Sequence, residues 1–138
     1  GGLYIRANKL AWRLIDAHPG VGITNRFGIP DVPERVHWEE DFALEVGAPG
    51  AYDYGPERTS WMTHHLTNWM GDAGFLRRSH CKIRRHNPEG DMLFIKGMVK
   101  RKFVENGRHL VEITQEAHNQ DDELSVLGSG VVELPTRG

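Results

Sequence analysis

The sequence predicts an α+β fold in which an antiparallel sheet curls around one long helix. Two patterns predict it. From Arg58 to about Gly71 or Gly74, apolar and aromatic residues occupy almost every side of a helix, which is typical of a buried helix. Nearly everything after Ser79 alternates between apolar and polar residues, as the strands of such a sheet do. One buried helix needs a covering layer, and these strands supply it.

The composition describes one ordinary globular domain. The chain has 138 residues, of which 38% are hydrophobic and 26% charged, so a core of useful size is possible. The net charge of −2 offers no electrostatic basis for binding nucleic acid or an anionic membrane. No apolar run approaches the ~20 residues that span a bilayer, no signal peptide is visible, and a single Cys81 allows no internal disulfide. We therefore expect a cytoplasmic protein with no nucleic-acid or membrane partner.

The first part of the chain is predicted to hold short helices and loops. A short helix over 7–17 ends at a Pro-Gly pair. A Gly- and Pro-rich loop follows at 21–33, with a short strand at 22–24. A second helix is predicted over 38–46, because its acidic first turn suits the positive end of a helix. The segment 48–56 is a loop that leads into the long helix.

Four strands are predicted after the long helix. An Asn-Gly pair at Asn106-Gly107 is the signal of a tight hairpin between the second and third strands. The strands lie at 79–86, 91–104, 108–120 and 124–134.

The middle of the chain resembles a known family. His37–Ala43 reads HWEEDFA and is similar to the H-x-D-x-x-F-A segment of MaoC-like acyl dehydratases and (R)-specific enoyl-CoA hydratases, with Glu39 where Asp is usual. Tyr54-Gly55 and the helix from Arg58 resemble the glycine turn and central helix of that family. Both stretches occur in the order that the family shows.

The last strands carry the rest of the resemblance. Glu89–Leu93 resembles the family's G-D-x-L strand, and Asn119-Gln120 with Gly128–Pro135 resembles its terminal N-Q…G…V-x-L-P strand. The resemblance implies a hot-dog fold, an antiparallel sheet wrapped around a long central helix. It divides the chain into an N-terminal helical extension and loop at 1–30 and a MaoC-like hot-dog domain at 31–138.

The family's chemistry implies an activity. The chain would add or remove water at a 2-enoyl thioester, with acyl-CoA as substrate and no cofactor, since coenzyme A enters only as part of the substrate. The family also implies a homodimer or a heteromer with another hot-dog subunit, and an open sheet edge needs cover in any case. The alternatives are a non-catalytic hot-dog subunit of a heteromeric hydratase and a hot-dog acyl-CoA thioesterase.

The resemblance assigns His37 and Asp31 as the catalytic residues. Hydration needs one group to take a proton from water and another to act as an acid near the α-carbon. His37 matches the family histidine, whereas the family aspartate would fall at Val32, so Asp31, one residue away, is the nearest carboxylate and Glu34 an equal rival. From the residues alone, His37 also fits a structural histidine and Asp31 a turn residue.

Trp61 and Met62 are expected near the thioester carbonyl. In the family a backbone N–H at the start of the central helix polarises that carbonyl, with help from the helix dipole. The family's A-H-G at this point aligns roughly with Ser60-Trp61-Met62, which lacks the glycine. Trp61 also fits core or dimer packing.

Two basic clusters, at 82–86 and 100–102, are placed on neighbouring strand ends. The default interpretation of these clusters is a charged solvent face. The sharper alternative is that Arg84 and Arg85 bind the phosphates of coenzyme A. His64 and His65 point about 100° apart on a helix, and no third ligand stands at matching spacing. We therefore expect no metal site.

Overall fold

The computed structural model describes the backbone of residues 2–24, 27–28, 30–31 and 33–136, and their side chains except those of residues 2–8, 11, 21, 23, 30 and 31. The chain forms two compact units, Gly1–Ala51 and Tyr52–Gly138. The division at residue 30 that the resemblance implies stays a prediction. Within the described part of the chain, no helix is long and apolar enough to cross a bilayer.

The first unit is mostly helical. The predicted first helix is present and longer than expected. The predicted helix over 38–46 is present with shorter bounds, and a separate 3-10 helix at 33–37 precedes it. A short strand pair confirms the strand expected near residue 23. The elements are helix α1 (Gly2–Ala17), a 3-10 turn (Pro19–Val21), strands β1 (Ile23–Thr24) and β2 (Pro30–Asp31), a 3-10 helix (Pro33–His37) and helix α2 (Glu40–Glu45).

A buried arginine joins the 3-10 helix to α2. Arg35 is 4% exposed, and its Nε and terminal nitrogen donate to the two carboxylate oxygens of Glu39 at 3.1 and 2.7 Å. Its guanidinium also lies 4.5 Å from the centre of the Phe42 ring. The bidentate pair and the ring contact hold the two helical segments together.

The second unit confirms the predicted helix and four strands. All the strand pairs are antiparallel, in the order β3-β6-β5-β4. The hairpin between β4 and β5 is also confirmed, since Asn106 and Gly107 have φ of 51° and 75°, as a tight hairpin turn needs. The elements are helix α3 (Gly55–Met70) and strands β3 (Phe75–Ile83), β4 (Phe94–Glu105), β5 (Arg108–His118) and β6 (Leu124–Glu133).

Helix α3 lies on the sheet through one stripe of side chains, at four-residue spacing. Arg58, Met62 and Leu66 are each 2% exposed or less. Two glycines of β6 allow the close approach: a Cβ on Gly130 would come within 2.3 Å of Leu66, and one on Gly128 within 2.7 Å of Met62. The helix therefore seats directly on the backbone of β6.

The expectation that α3 is buried on most sides is wrong. Trp61 and Trp69 are 38% and 47% exposed. The reason is the position of the helix, which packs mainly against β3 and β6, whereas β4, at the far edge of the sheet, is exposed along most of its length. One face of α3 is therefore left open to solvent.

Candidate functional site

His37 is the last residue of the 3-10 helix in the first unit, and it is half-buried. Asp31 belongs to β2, where its backbone pairs with Ile23. The Asp31 side chain and all of Val32 lie outside the described residues. Glu34 is exposed on the same 3-10 helix as His37. The pairing of His37 with Asp31 or Glu34 therefore stays a prediction.

Helix α3 begins at Gly55, three residues earlier than expected. Gly55 is the glycine of the Tyr54-Gly55 turn that the resemblance matched, whereas residues 60–62 carry no glycine. The N–H groups of Glu57 and Arg58 donate to the Tyr54 carbonyl at 2.9 and 3.2 Å. The Gly55 N–H has no hydrogen-bond partner within the described part of the chain, and a side chain added there would approach Ile83 at 3.5 Å. Gly55 thus presents a backbone donor at the positive end of the helix.

Trp61 and Met62 lie in the second turn of α3 and point in different directions. Their N–H groups are inside the helix, where each bonds to a carbonyl four residues earlier. The Trp61 side chain is 38% exposed and available to a ligand. The Met62 side chain is 1% exposed and lies against Gly128. Whether either residue contacts substrate stays a prediction.

A buried polar network fixes the start of α3. Arg58 donates from Nε to Asp53 at 2.6 Å and from a terminal nitrogen to the other Asp53 oxygen. Its third nitrogen reaches the Arg85 carbonyl at 2.5 Å and the Ser125 hydroxyl at 3.4 Å. That hydroxyl donates to the Asn87 side chain at 2.5 Å. This network was not predicted from the sequence, although an arginine on the stripe that holds Met62 and Leu66 signals a buried partner.

The two basic clusters do not adjoin each other. Arg84 and Arg85 follow β3, whereas residues 100–102 lie on β4, and β3 and β4 are opposite edges of the sheet, about 14 Å apart at the usual strand spacing. The prediction of neighbouring strand ends is therefore wrong. Arg85 forms an ion pair with Glu123. A hydrogen bond from Asn119, and then the one from Arg85, hold the pKa of Glu123 below its usual value. Arg84 is exposed, and its contact with coenzyme A stays a prediction.

The adjacent histidines of α3 have different surroundings. His64 is exposed and contacts Asn68 at 3.0 Å. The Nδ1 atom of His65 lies 3.0 Å from the amide nitrogen of Gln115, which also donates to the Met62 carbonyl at 2.9 Å. Because the atom that bonds to a carbonyl must be the Gln115 NH₂, Nδ1 of His65 is an acceptor and its proton sits on Nε2. A polar residue on the apolar face of β5 was the signal for this pair.

Space for the His65 ring comes from a glycine. A Cβ on Gly97 of β4 would come within 2.7 Å of the ring. Within the described residues, no three His, Cys, Asp or Glu side chains lie close enough together to hold a metal ion. The ordered imidazole is thus a hydrogen-bond donor on the open side of α3.

No protein-family model matches the chain, and no curated protein sequence matches it either. Several solved structures do match the chain. A MaoC-like dehydratase from Rhodospirillum rubrum is 16% identical, with a TM-score of 0.66 over 77% of each chain. The (R)-hydratase from A. caviae involved in PHA biosynthesis is 19% identical, with a TM-score of 0.64 over 73% of this chain and 76% of that one.

A third likeness is to a heteromeric assembly. The ChsH1-ChsH2 complex from Mycobacterium tuberculosis contains a chain 17% identical to this one, with a TM-score of 0.63 over 73% of this chain and 76% of that one. Identities this low establish architecture and leave activity open. The order of the strands, the helix laid on them and these likenesses together show that the chain has the hot-dog fold.

Proposed function

We propose that the chain is a MaoC-like acyl-CoA hydratase or dehydratase, which adds or removes water at a 2-enoyl thioester. The observation that carries the proposal is the start of α3, where the Gly55 N–H, at the positive end of the central helix, has no hydrogen-bond partner among the described residues. The HWEEDFA segment from His37 and the likeness to hydratases support it. A cytoplasmic location goes with this proposal.

The roles follow the chemistry of hydration. His37 takes a proton from water as the water oxygen bonds to the β-carbon, and the electrons of the double bond shift toward the thioester oxygen. A backbone N–H donor stabilises that oxygen as its negative charge grows. Asp31, or Glu34 in its place, delivers a proton to the α-carbon. The dehydration reaction runs through the same steps in reverse.

The proposal is tested with a 2-enoyl-CoA substrate. We expect His37→Ala to lower the hydration rate by about 10²–10⁴-fold, which is the usual contribution of a general base. His64→Ala is the matched control, because His64 is exposed and its side chain contacts Asn68 at the surface of α3. Wild-type activity in folded His37→Ala would refute the role of His37. Release of free thiol without hydration would instead favour the thioesterase alternative.

A second candidate function is a hot-dog subunit that is inactive alone and pairs with a catalytic one. The open face of α3 favours it, since Trp61 and Trp69 are exposed there, and the ChsH1-ChsH2 and HadBC structures are complexes. The purified chain would then show no hydration until a partner hot-dog chain is added. A homodimer that is active alone, measured by light scattering and by the hydration assay, would exclude this candidate.

A further inference from the structure

The outer face of the sheet, away from α3, carries a cavity of about 330 Å³ whose walls include four arginines. Residues of β5 and β6 that alternate with those facing α3 form its base. Two of these, Leu110 and Val131, are only 5% and 9% exposed although they lie on the outer face, because the arginine side chains cover them. The arginines come from both edges of the sheet and from the β4–β5 hairpin: Arg77, Arg78, Arg101 and Arg108. We call this feature the arginine cavity.

Arg77 is held rigidly at one edge of the arginine cavity. Its Nε donates to Glu133 at 2.6 Å, and its guanidinium lies 4.3 Å from the centre of the Phe75 ring. A carboxylate on one side and a ring beneath leave little freedom to the planar group. A guanidinium has five N–H donors, so part of its fork is still available to a ligand.

Arg101 is held in the same way at the opposite edge. Its Nε donates to Glu112 at 2.5 Å, and its guanidinium lies 4.4 Å from the centre of the Phe103 ring. Both terminal nitrogens remain without a hydrogen-bond partner in the described part of the chain. Each edge of the sheet therefore carries a guanidinium group with N–H donors still available, and β5 and β6 lie between the two.

The other two arginines differ from Arg77 and Arg101 in their contacts. Arg78 and Arg108 form no ion pair with any residue that the structure describes. The carboxylate of Glu112 already contacts Arg101, and Lys100 lies 3.7 Å from it. The hydrogen bond from Arg101, and then the charges of Arg101, Lys100 and Arg78, lower the pKa of Glu112. The carboxylates of Glu112 and Glu133 are thus already engaged, whereas that of Glu105 also lines the cavity. Four guanidinium groups still outnumber these three carboxylates.

We propose that the arginine cavity binds a phosphoryl oxyanion, as a phosphate monoester or a diphosphate. Guanidinium forks match phosphate oxygens in geometry and charge, and two of the four are already fixed in position. The chain as a whole carries a net charge of −2, so the site is local and does not indicate a nucleic-acid surface. The phosphate could belong to coenzyme A or to a free phosphate compound, and the proposal does not depend on hydratase activity.

Binding of pyrophosphate at low ionic strength, measured by calorimetry, tests the proposal. The variant Arg78→Ala with Arg108→Ala removes two arginines that have no ion pair with any described residue, and circular dichroism checks that the variant is folded before binding is measured. Lys9→Ala with Arg13→Ala is the control, because it removes the same charge from two exposed positions of α1 that belong to no expected phosphate site. Charge-assisted hydrogen bonds of this kind predict that the first variant binds pyrophosphate about tenfold or more weakly. The control should stay within about twofold of wild type.

Each outcome decides for or against the arginine cavity. No pyrophosphate binding by wild type at millimolar concentration, or equal binding by both variants, overturns the proposal. A second arm compares coenzyme A with 3′-dephospho-coenzyme A. If the cavity variant weakens only the former, the bound group is the 3′-phosphate of coenzyme A. If the cavity variant weakens the binding of pyrophosphate alone, the ligand is a free phosphate compound. Both outcomes support a phosphate site in the arginine cavity.

Discussion

The buried Arg58 makes the sharpest test of how the central helix is held. Its side chain is 2% exposed and that of its partner Asp53 is 11% exposed. Replacing Arg58 with Met keeps the apolar stem and removes every donor. The change leaves the Asp53 carboxylate without its ion-pair partner, and the Arg85 carbonyl and Ser125 hydroxyl without a donor.

The expected cost follows from that loss. Breaking a buried ion pair by removing one partner costs about 3–5 kcal/mol, against the roughly 5–15 kcal/mol by which a domain of this kind is stable. The free energy of unfolding of a small domain falls by about 2 kcal/mol for each molar increase in urea. The urea concentration at the unfolding midpoint should therefore be about 2 M lower for Arg58→Met than for wild type. A loss of this size would make α3 the most sensitive element of the second unit.

Urea unfolding followed by tryptophan fluorescence measures the effect. Arg84→Met is the control, since Arg84 is exposed, and it should change stability by less than about 0.5 kcal/mol. Replacing Asp53 with Leu in the Arg58→Met background should restore part of the loss, because two apolar partners need no pairing. A cost below about 1 kcal/mol for Arg58→Met would refute the view that this network anchors the helix.

Two further predictions concern packing and pH. Gly130→Ala should destabilise the chain by about 1–3 kcal/mol in the same assay, because its Cβ would meet the fully buried Leu66 at 2.3 Å; unchanged stability would show that the helix seats elsewhere. The lowered pKa of Glu123, caused by Asn119 and Arg85, adds stability that is present above the unfolded-state pKa and is lost as pH falls through the folded-state value. The free energy of unfolding of Glu123→Gln should therefore fall less steeply than that of wild type as the pH is lowered. An identical fall in the two proteins would contradict this.

The strands and their turns were predictable because their signals are local. Alternation marks each strand, and Asn106-Gly107 needs only its own backbone preference to form the hairpin. The beginning of α3 was also readable in principle. Pro56 stands in its first turn, where proline is favoured, and reading it would have placed Gly55 at the helix start.

The features that were not predictable depend on residues far apart in the chain. Arg58 meets Ser125 across 67 positions, and nothing local to either residue indicates the other. Strand order is equally non-local, so the separation of Arg84 from Arg101 could not be read from spacing. The same order brings Arg78 and Arg101 from opposite edges over one outer cavity.

Gln115 connects the buried stripe of α3 with the open face of the same helix. Its amide nitrogen bonds to the Met62 carbonyl on the buried stripe and to His65 on the open side. Its Oε1 is buried and has no hydrogen-bond partner in the described part of the chain, which costs about 1–3 kcal/mol. Stability alone would favour an apolar residue among the core side chains of β5. Gln115, kept at that cost, fixes the His65 ring with its proton on Nε2. Such departures from good packing are expected where a protein meets a ligand.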